Sequence, residues 1–391
     1  MANKRIHELD PSLGNILPSD RLAIDRFNPG GGTFSTLHST GQQLINTIQN
    51  VIDNSVTGGL EGTNYIYVPA DQDHVNNAVQ LQQAYNDAKL LTPNGDAISD
   101  TNQVYILVAP GYFDFPSDFI LDTPYINIIA LSQISSTYHT NIETINFNGI
   151  GTLEIATGNV YVSGVNVGND KPFLINDNYF NIVCVNCTGG DNSFGSIATV
   201  NSNITTLSGI FINCNAKNIS FGFGINASGT FINCSGGHSC FGSSGNASGY
   251  FKNCTGASFC FGGNFNASGT FINCESMGNS FGGHTGIASG LFINCISYST
   301  GSFGGIGGIA SGQFYYCLSE GDSFGGGSSG GQASGVFQSC VANSRSFGFG
   351  GTITGKLYYC RLISGNFIPP TVNGQIVLCI DGDDDVITQS A

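Results

Sequence analysis

The feature that most constrains this chain is a cysteine that recurs about every 20 residues through its C-terminal half. We call these the repeat cysteines: Cys187, Cys214, Cys234, Cys254, Cys274, Cys295, Cys317, Cys340, Cys360 and Cys379. Successive positions differ by 27, 20, 20, 20, 21, 22, 23, 20 and 19 residues, and Cys240 and Cys260 fall outside the series. A period this regular over ten copies indicates a solenoid, in which each repeat packs on its neighbours and the chain grows as one unit.

The residues around each repeat cysteine are fixed in type. A Phe follows it by seven positions, or by eight at Phe303, at every repeat but that of Cys379, and a Gly precedes it by five from Cys214 onward. The length of the repeat varies almost wholly between that Phe and the next Gly. This variable stretch is expected to hold a loop, and the rest is expected to be strand and corner.

The segment 270–274 predicts which side chains face inward. The position three before the cysteine is always apolar, as at Phe271, whereas the positions beside it admit Lys252 and Gln313. This is the period-two alternation of a half-buried strand. An Asn precedes the cysteine in the central repeats, and Asn tolerates left-handed backbone angles at a corner. Stacked Asn side chains can also hydrogen-bond from one repeat to the next.

These patterns predict an all-β fold, a right-handed parallel β-helix with about 20 residues per rung. Twenty residues are too few for a strand–helix unit and suit three short strands joined by tight turns. Parallel stacking would place identical side chains about 4.8 Å apart along the axis. The predicted structural ladder consists of Phe231, Phe251, Phe271, Phe241, Phe261, Phe281, Cys234, Cys254, Cys274, Asn233, Asn253 and Asn273.

Composition excludes several functional classes. Gly supplies 56 residues and only 9% of the chain is charged, which argues against an ordinary helix-rich enzyme. The net charge of −15 argues against a nucleic-acid or anionic-membrane partner, because both need clustered Lys and Arg. No apolar run approaches the length of a membrane span, and the N-terminus lacks the apolar stretch of a signal peptide. We therefore expect no membrane insertion, and synthesis in a cytoplasm or export by a route that the sequence does not reveal.

Residues 73–91 predict an amphipathic helix capped by Asp73, whose apolar face would be formed by Val75, Ala78, Leu81, Tyr85 and Ala88. Residues 92–95 would end the helix, and the strand 104–109 and the segment "VAPGYF" follow. This order resembles the N-terminal cap of the pectin-lyase-like β-helix superfamily, as do the "FINC" and "FKNC" segments. The resemblance covers residues 60–380 and implies the fold rather than a function.

The first 58 residues have a different character and resemble the N-terminal segment of tailed-phage fibre and tailspike proteins. Thr40 and Gln43 form a potential capping box, and an apolar stripe at helical spacing runs from Leu44 to Ile52. The stripe indicates either a surface helix packed on its own domain or a short trimeric coil. The sequence thus predicts an attachment and oligomerisation region at 1–58, a linker and capping helix at 59–100, the β-helix at 101–379 and an acidic tail at 380–391.

Carboxylate pairs are scarce in the repeats, although the resemblance to pectin-lyase-like proteins implies polysaccharide cleavage as a candidate activity. Residues 201–380 contain three carboxylates, of which Glu320 and Asp322 are close in sequence. They are candidates for a catalytic dyad, and the alternative is a solvated turn. Earlier carboxylates, namely Asp114, Asp118, Asp122, Glu143 and Glu154, leave open a site on the early rungs or between subunits.

The cysteines are expected to be inert buried thiols rather than metal ligands or a chain of disulfides between rungs. Cys184 and Cys187 form a C-x-x-C without a second pair, and side chains stacked in one direction rarely present the torsion of a disulfide. Asp381, Asp383 and Asp385 are candidate calcium ligands, with a solvated acidic end as the alternative. No cofactor is expected.

The sequence therefore favours a structural protein of a virion appendage, such as a phage tail fibre or tailspike shaft. Its expected partners are two further copies of itself, other virion proteins bound through residues 1–58, and host surface polysaccharide. One alternative is a tailspike depolymerase that cleaves polysaccharide as a hydrolase or lyase. A second alternative is a cellular β-helix adhesin or filament protein.

Overall fold

A computed structural model describes residues 64–131, 144–168, 170–175, 181–195, 205–283, 285–299, 301–327, 330–343, 345–364 and 371–389, together with two earlier strands. These two strands, Arg21–Phe27 and Phe34–Thr40, pair antiparallel. The predicted helical stripe at 44–52 and Gln43 of the capping box lie outside the described residues. The chain divides into two compact units, residues 1–114 with 124–145 and residues 115–123 with 146–391.

In the first unit, three parallel strands accompany one helix. The strands are Tyr65–Val68, Val104–Val108 and Ile126–Ala130, and Tyr65 lies in register with Tyr105. A further strand, Gly111–Phe115, follows, and all but its last residue belong to this unit. The stacking of strands therefore begins before the helix, a feature that the sequence patterns did not predict.

Helix α1 spans His74–Ala88, and a short 3-10 turn follows at Pro93–Gly95. The Asp73 carboxylate caps the helix by accepting a hydrogen bond from the Asn76 amide at 3.0 Å. The predicted apolar face is buried at Ala78, Leu81, Tyr85 and Ala88.

The prediction was wrong for Val75, whose side chain is 59% exposed. Asn77 is turned inward in the first turn of α1 instead. Its amide donates to the carbonyl oxygens of Asp71 and Tyr112, each at 3.0 Å. These two bonds satisfy a buried polar group and fix the rotation of the helix, which leaves Val75 on the solvent side.

The second unit is a parallel β-solenoid whose turns contribute strands to three sheets, so the predicted fold class is confirmed. We name the sheets A, B and C in chain order from the strand that precedes each repeat cysteine. Sheet A contains Val160–Ser163, Ile182–Val185, Ile210–Ile212, Thr230–Ile232, Tyr250–Lys252, Thr270–Ile272, Leu291–Ile293, Gln313–Tyr315, Val336–Gln338, Lys356–Tyr358 and Gln375–Ile380. Equivalent residues pair across the turns, as Phe251 does with Phe271.

Sheet B begins after the repeat cysteine. Its strands are Ile145–Gly149, Val165–Asn166, Thr188–Gly189, Asn215–Ala216, Thr255–Gly256, Glu275–Ser276, Ile296–Ser297, Leu318–Ser319, Val341–Ala342 and Arg361–Leu362. Ser235 bridges Asn215 and Thr255, which makes the ladder continuous at that turn.

Sheet C closes each turn before the next Gly. Its strands are Phe119–Leu121, Leu153–Ile155, Leu174–Ile175, Thr206–Leu207, Asn226–Ala227, Ile287–Ala288, Ile309–Ala310, Gln332–Ala333, Thr352–Ile353 and Thr371–Val372. Ala247 and Ala267 supply single bridges between them. A column of fully buried alanines faces inward here, and its members are Ala227, Ala247, Ala267, Ala288, Ala310 and Ala333. The stretch predicted to hold a variable loop also holds the third strand.

The corner between sheets A and B is built by asparagine, as the sequence predicts. Asn233, Asn253 and Asn273 have φ angles of 53–54°, in the left-handed region. The Asn253 amide donates to Asn233 Oδ1 at 2.9 Å, and the Asn273 amide donates to Asn253 Oδ1 at 3.1 Å. In later turns, Tyr316, Ser339, Tyr359 and Leu378 adopt the same corner angle without this ladder. The backbone geometry is therefore common to all these corners, and the amide ladder adds to it.

Replacing Asn253 with alanine should destabilise the solenoid by about 1–2 kcal/mol, because it removes two ladder hydrogen bonds and forces a Cβ-bearing residue without a polar side chain into the left-handed region. Asn253→Gly removes the same bonds but tolerates the angle, so it should cost less than Asn253→Ala. Urea unfolding of the two variants measures the two losses of stability. If glycine costs more than alanine, the strain of the corner angle is not what separates the two variants.

The last described strands form a β-hairpin that includes residues of the predicted acidic tail. Strand Gln375–Ile380 pairs antiparallel with Val386–Gln389, and Cys379 lies opposite Ile387. This antiparallel strand lies along one edge of the last sheet A strand. Capping strands of this kind limit edge-to-edge association of parallel sheets.

Candidate functional site

The interior of the second unit is filled by two columns of stacked phenylalanine rings. The strand column, on sheet A, consists of Phe211, Phe231, Phe251, Phe271, Phe292, Phe314 and Phe337, and the corner column, between sheets B and C, consists of Phe194, Phe221, Phe241, Phe261, Phe281, Phe303, Phe324 and Phe347. In the strand column, the rings of Phe251 and Phe271 lie 4.9 Å apart and 3° from parallel. In the corner column, Phe261 and Phe281 lie 4.8 Å apart and 1° from parallel.

The two columns also meet edge to face. Phe271 contacts Phe261 at 5.9 Å and Phe281 at 5.6 Å, with interplanar angles of 86° and 87°. Each central ring therefore has two parallel and two perpendicular ring neighbours. Such pairs contribute about 0.5–1.5 kcal/mol each beyond the burial of their area, so the interior is a cooperative aromatic lattice.

The corner phenylalanines lie in an unusual backbone conformation. Phe261 and Phe281 have φ angles of 51° and 54°, and the glycine after each, Gly262 or Gly282, also has a positive φ. Bulky residues seldom occupy this region, because Cβ crowds the following carbonyl. Burial of the ring in the corner column offsets that cost. Every turn from Phe194 to Phe347 repeats the arrangement.

The thirteen cysteines are all buried, and each is unlinked in this structure. Each repeat cysteine in the centre of the solenoid donates to a strand carbonyl of the turn before it, as Cys254 Sγ does to Phe231 O at 3.4 Å and Cys274 Sγ to Phe251 O at 3.5 Å. Burial raises the pKa of the Cys274 thiol well above its ordinary value. All thirteen thiols are buried, so a reagent reaches them only when the turns open.

Native protein kept reduced should therefore react with a thiol-labelling reagent far more slowly than unfolded protein, at essentially every cysteine. The measurement is the number of modified cysteines against time, by intact mass, before and after denaturation. Rapid modification of most thiols in the folded state would contradict the inward placement of the cysteine column.

Glu320 and Asp322 do not form a matched pair of carboxylates. Glu320 is exposed, whereas Asp322 is buried and its carboxylate lies 3.2 Å from Nε of Arg345 in the next turn. Burial raises the pKa of the Asp322 carboxyl, and the Arg345 guanidinium offsets part of that rise. A solvated turn therefore describes Glu320 but not Asp322. Glycoside hydrolysis needs two carboxyl groups facing one bond, and the Asp322 carboxylate is bound to Arg345 instead.

The three candidate calcium ligands at the C-terminus also differ in burial. Asp381 is buried, and its Oδ1 accepts hydrogen bonds from the backbone amides of Asp383 and Asp385 at 3.1 and 3.0 Å. Asp383 and Asp385 are exposed. Asp381 thus acts as the cap of a tight turn. Across the part of the chain that the structure describes, no three His, Cys, Asp or Glu side chains converge as a metal site.

The earlier carboxylates lie in different settings. In the first unit, Asp114 lies 3.9 Å from Nδ1 of His74, whose ring lies 5.2 Å from that of Tyr112. In the second unit, Asp118 accepts a hydrogen bond from the Thr152 amide at 3.0 Å, which is a structural role. Glu154 and Asp122 are partly or fully exposed, and Glu143 lies outside the described residues.

A shallow surface cleft of about 390 Å³ lies on the second unit, lined by Phe259, Asn264, Asn279 and Thr285. Phe259 also contacts the His238 ring at 5.4 Å. The cleft offers an aromatic face together with amide and hydroxyl groups. The sequence did not predict it, because its four lining residues come from two consecutive turns and two of them, Asn264 and Thr285, lie in the variable stretch. Within the described residues, no helix is both long enough and apolar enough to cross a bilayer.

Comparisons with known proteins assign neither a family nor a function to this chain. No family model and no curated protein matches the chain. A solved structure from Geobacillus virus E2, described as ORF18, is similar over 97% of this chain and 74% of that chain, with 10% sequence identity and a TM-score of 0.33. We draw no functional inference from a likeness this low. The resemblance to the pectin-lyase-like superfamily stays a prediction.

Proposed function

We propose that this chain is the structural shaft or spike of a virion appendage, attached through residues 1–58. The observation that carries the proposal is the interior of the second unit, where two phenylalanine columns, a cysteine column and an alanine column repeat from turn to turn. An interior of this kind supplies stability rather than chemistry. The tail-fibre-like N-terminal sequence supports the assignment of that stability to a phage particle.

Particle composition tests this proposal. Virions induced from the organism that carries the gene would be purified by density gradient and their proteins identified by mass spectrometry. We expect the chain to band with the particles and to remain there after a high-salt wash. Its presence in the soluble host fraction alone would contradict the proposal and favour a cellular adhesin or filament.

The proposed assembly is a homotrimer, supported by the apolar stripe from Leu44 to Ile52 and by the phage-fibre resemblance. Light scattering coupled to gel filtration of the full-length chain at micromolar concentration measures its mass. A trimer, or a larger assembly, is expected. A stable monomer would contradict the assignment of residues 1–58 as an oligomerisation region.

Contact with surface glycans is proposed for the cleft lined by Phe259 and Asn279, because carbohydrate rings pack on aromatic faces while amides bond to their hydroxyls. Binding of the full chain to a panel of bacterial surface polysaccharides, with Asn279→Ala as the altered cleft, tests this. A reducing-sugar assay on the same panel tests the depolymerase alternative. Product release by the wild type that is lost in Glu320→Gln would establish that alternative.

A further inference from the structure

The residue before each corner phenylalanine forms a column of its own. Six of its members are serine and two adjacent members are cysteine, in the order Ser193, Ser220, Cys240, Cys260, Ser280, Ser302, Ser323 and Ser346. Every member is buried. In five of the six serines, all but Ser323, the hydroxyl accepts a hydrogen bond from a backbone amide of the turn before, as Ser280 Oγ does from the Cys260 amide at 3.1 Å. Cysteine is a poor substitute in this role, because sulfur is a weak acceptor.

The two cysteines of this column lie in direct contact. Cys240 Sγ and Cys260 Sγ are 2.9 Å apart, and both are 3.3 Å from the carbonyl oxygen of Gly237. Both side chains are fully buried. Cys260 bonds to a carbonyl two residues before it and to one of the turn before, as the repeat cysteine Cys254 also does. What distinguishes Cys240 and Cys260 is the short distance between their sulfur atoms.

The turns that carry these cysteines have a glycine beside the cysteine side chain. The position two after the repeat cysteine is Gly236 or Gly256, and a Cβ there would come within 2.5 or 2.6 Å of the sulfur of Cys240 or Cys260. In three other turns this position is Ser276, Ser297 or Ser319, whose hydroxyl bonds to the column serine. Glycine also accompanies Ser193 at position 189. Both cysteine turns nevertheless have the glycine that makes room for sulfur.

We propose that Cys240 and Cys260 form a disulfide that joins two adjacent turns of the solenoid, while the other eleven cysteines stay reduced. Adjacent parallel strands lie about 4.8 Å apart, which is inside the Cα separation of about 4.4–6.8 Å found for disulfides. The pair also lies at a corner rather than on a flat strand, since Ser239 and Phe241 on either side of Cys240 have φ angles of 59° and 50°. Left-handed residues thus flank Cys240 on both sides, whereas the repeat cysteine Cys254 has one only before it, at Asn253.

The oxidant is a low-molecular-weight disulfide such as oxidised glutathione. One protein thiolate attacks it, forming a mixed disulfide and releasing one glutathione, and the second protein thiolate then displaces the other glutathione. Two thiols are oxidised to one disulfide, and one glutathione disulfide is reduced to two glutathione thiols. Because burial raises the pKa of the Cys240 thiol and closes off access, the exchange takes place while these turns are open during folding.

Peptide mapping of the full chain tests the proposal. Reduced, denatured protein would be refolded in a glutathione redox buffer, the folded fraction isolated, remaining thiols alkylated under denaturing conditions, and the protein digested without reduction. We expect one cross-linked peptide, joining Cys240 to Cys260, and eleven alkylated cysteines. Thirteen alkylated cysteines in the folded fraction, or cross-links spread among the repeat cysteines, would overturn the proposal.

Melting of variants provides a second readout. The oxidised wild type should melt several degrees higher than the same protein after reduction with dithiothreitol. Cys240→Ser with Cys260→Ser, which places in both turns the residue found elsewhere in the column, should melt at one temperature in either condition. Cys295→Ser, which replaces a repeat cysteine, should keep the difference in melting temperature between the oxidised and the reduced protein. If dithiothreitol still lowers the melting temperature of the double variant, the proposal is overturned. If the double variant fails to fold, the peptide map of the wild type decides whether the disulfide forms.

Discussion

Replacing Gly269 with alanine should destabilise the solenoid by about 3 kcal/mol or more, although the change adds a single methyl group. A Cβ at this position would lie 2.2 Å from the carbonyl oxygen of Gly249 in the turn before. To relieve the clash, the two turns would have to separate, which would weaken the hydrogen bond from the Thr270 amide to that same oxygen, now 2.9 Å long. Urea unfolding followed by circular dichroism measures the loss.

The neighbouring residue provides a matched control. Ser268 is exposed, and its backbone amide bonds to Ala247 O at 3.0 Å irrespective of its side chain. Ser268→Ala should therefore change stability by no more than about 0.5 kcal/mol. If the two alanine variants unfold at the same urea concentration, the glycine column is not held by close backbone approach, and another reason for its regularity is needed.

This glycine column shows how far the sequence alone could go. The spacing of Gly229, Gly249, Gly269 and their equivalents is plain in the sequence, but its cause is not. Glycine most often marks a positive φ, whereas here the cause is the distance between a would-be Cβ and a carbonyl one turn away. That distance exists only after the turns are stacked in register. A pattern within one turn cannot reveal it.

The inward face was accessible to sequence analysis because period-two alternation is a local property. Phe251 and Phe271 face inward as this alternation predicts. The asparagine corner also has its expected angle, because the tolerance of Asn for left-handed φ is a local property too. The alanine column was not predicted, because small residues between the corner Phe and the next Gly look like loop. The burial of Asp322 was not predicted, because its partner is distant in sequence. Asp322 is buried by virtue of Arg345, which arrives from the following turn, 23 residues away in sequence.

For the candidate sites, too, the sequence revealed local features but not the contacts made between turns. The sequence could count carboxylates and rank Glu320 with Asp322 as the nearest pair in the repeats. It could not show that one carboxylate faces solvent and the other faces an arginine. The contact between Cys240 and Cys260 was equally hidden, because those two residues were exceptions to the repeat rather than part of it.

Replacing Phe271 with alanine should open a cavity in the middle of the strand column and cost about 3–5 kcal/mol. Its ring is fully buried and stacks on Phe251 and Phe292 at 4.9 and 4.8 Å, with two further rings edge-on. A solenoid couples each turn mainly to its neighbours, so the loss should be felt locally. The defect should therefore divide the unfolding transition into two less cooperative steps, in addition to lowering its midpoint.

Ile272→Ser is the matched control, because Ile272 is the next residue of the same strand and is only partly buried. Both changes delete a large apolar side chain, but only Phe271 belongs to the stacked interior, so Ile272→Ser should cost well under half as much. Calorimetry on the two variants compares both the unfolding enthalpy and the number of transitions. Equal destabilisation, or a larger loss from Ile272→Ser, would place the core on the opposite face of sheet A. A single cooperative transition in Phe271→Ala, with the expected loss of stability, would show instead that the aromatic lattice transmits the defect along the whole stack.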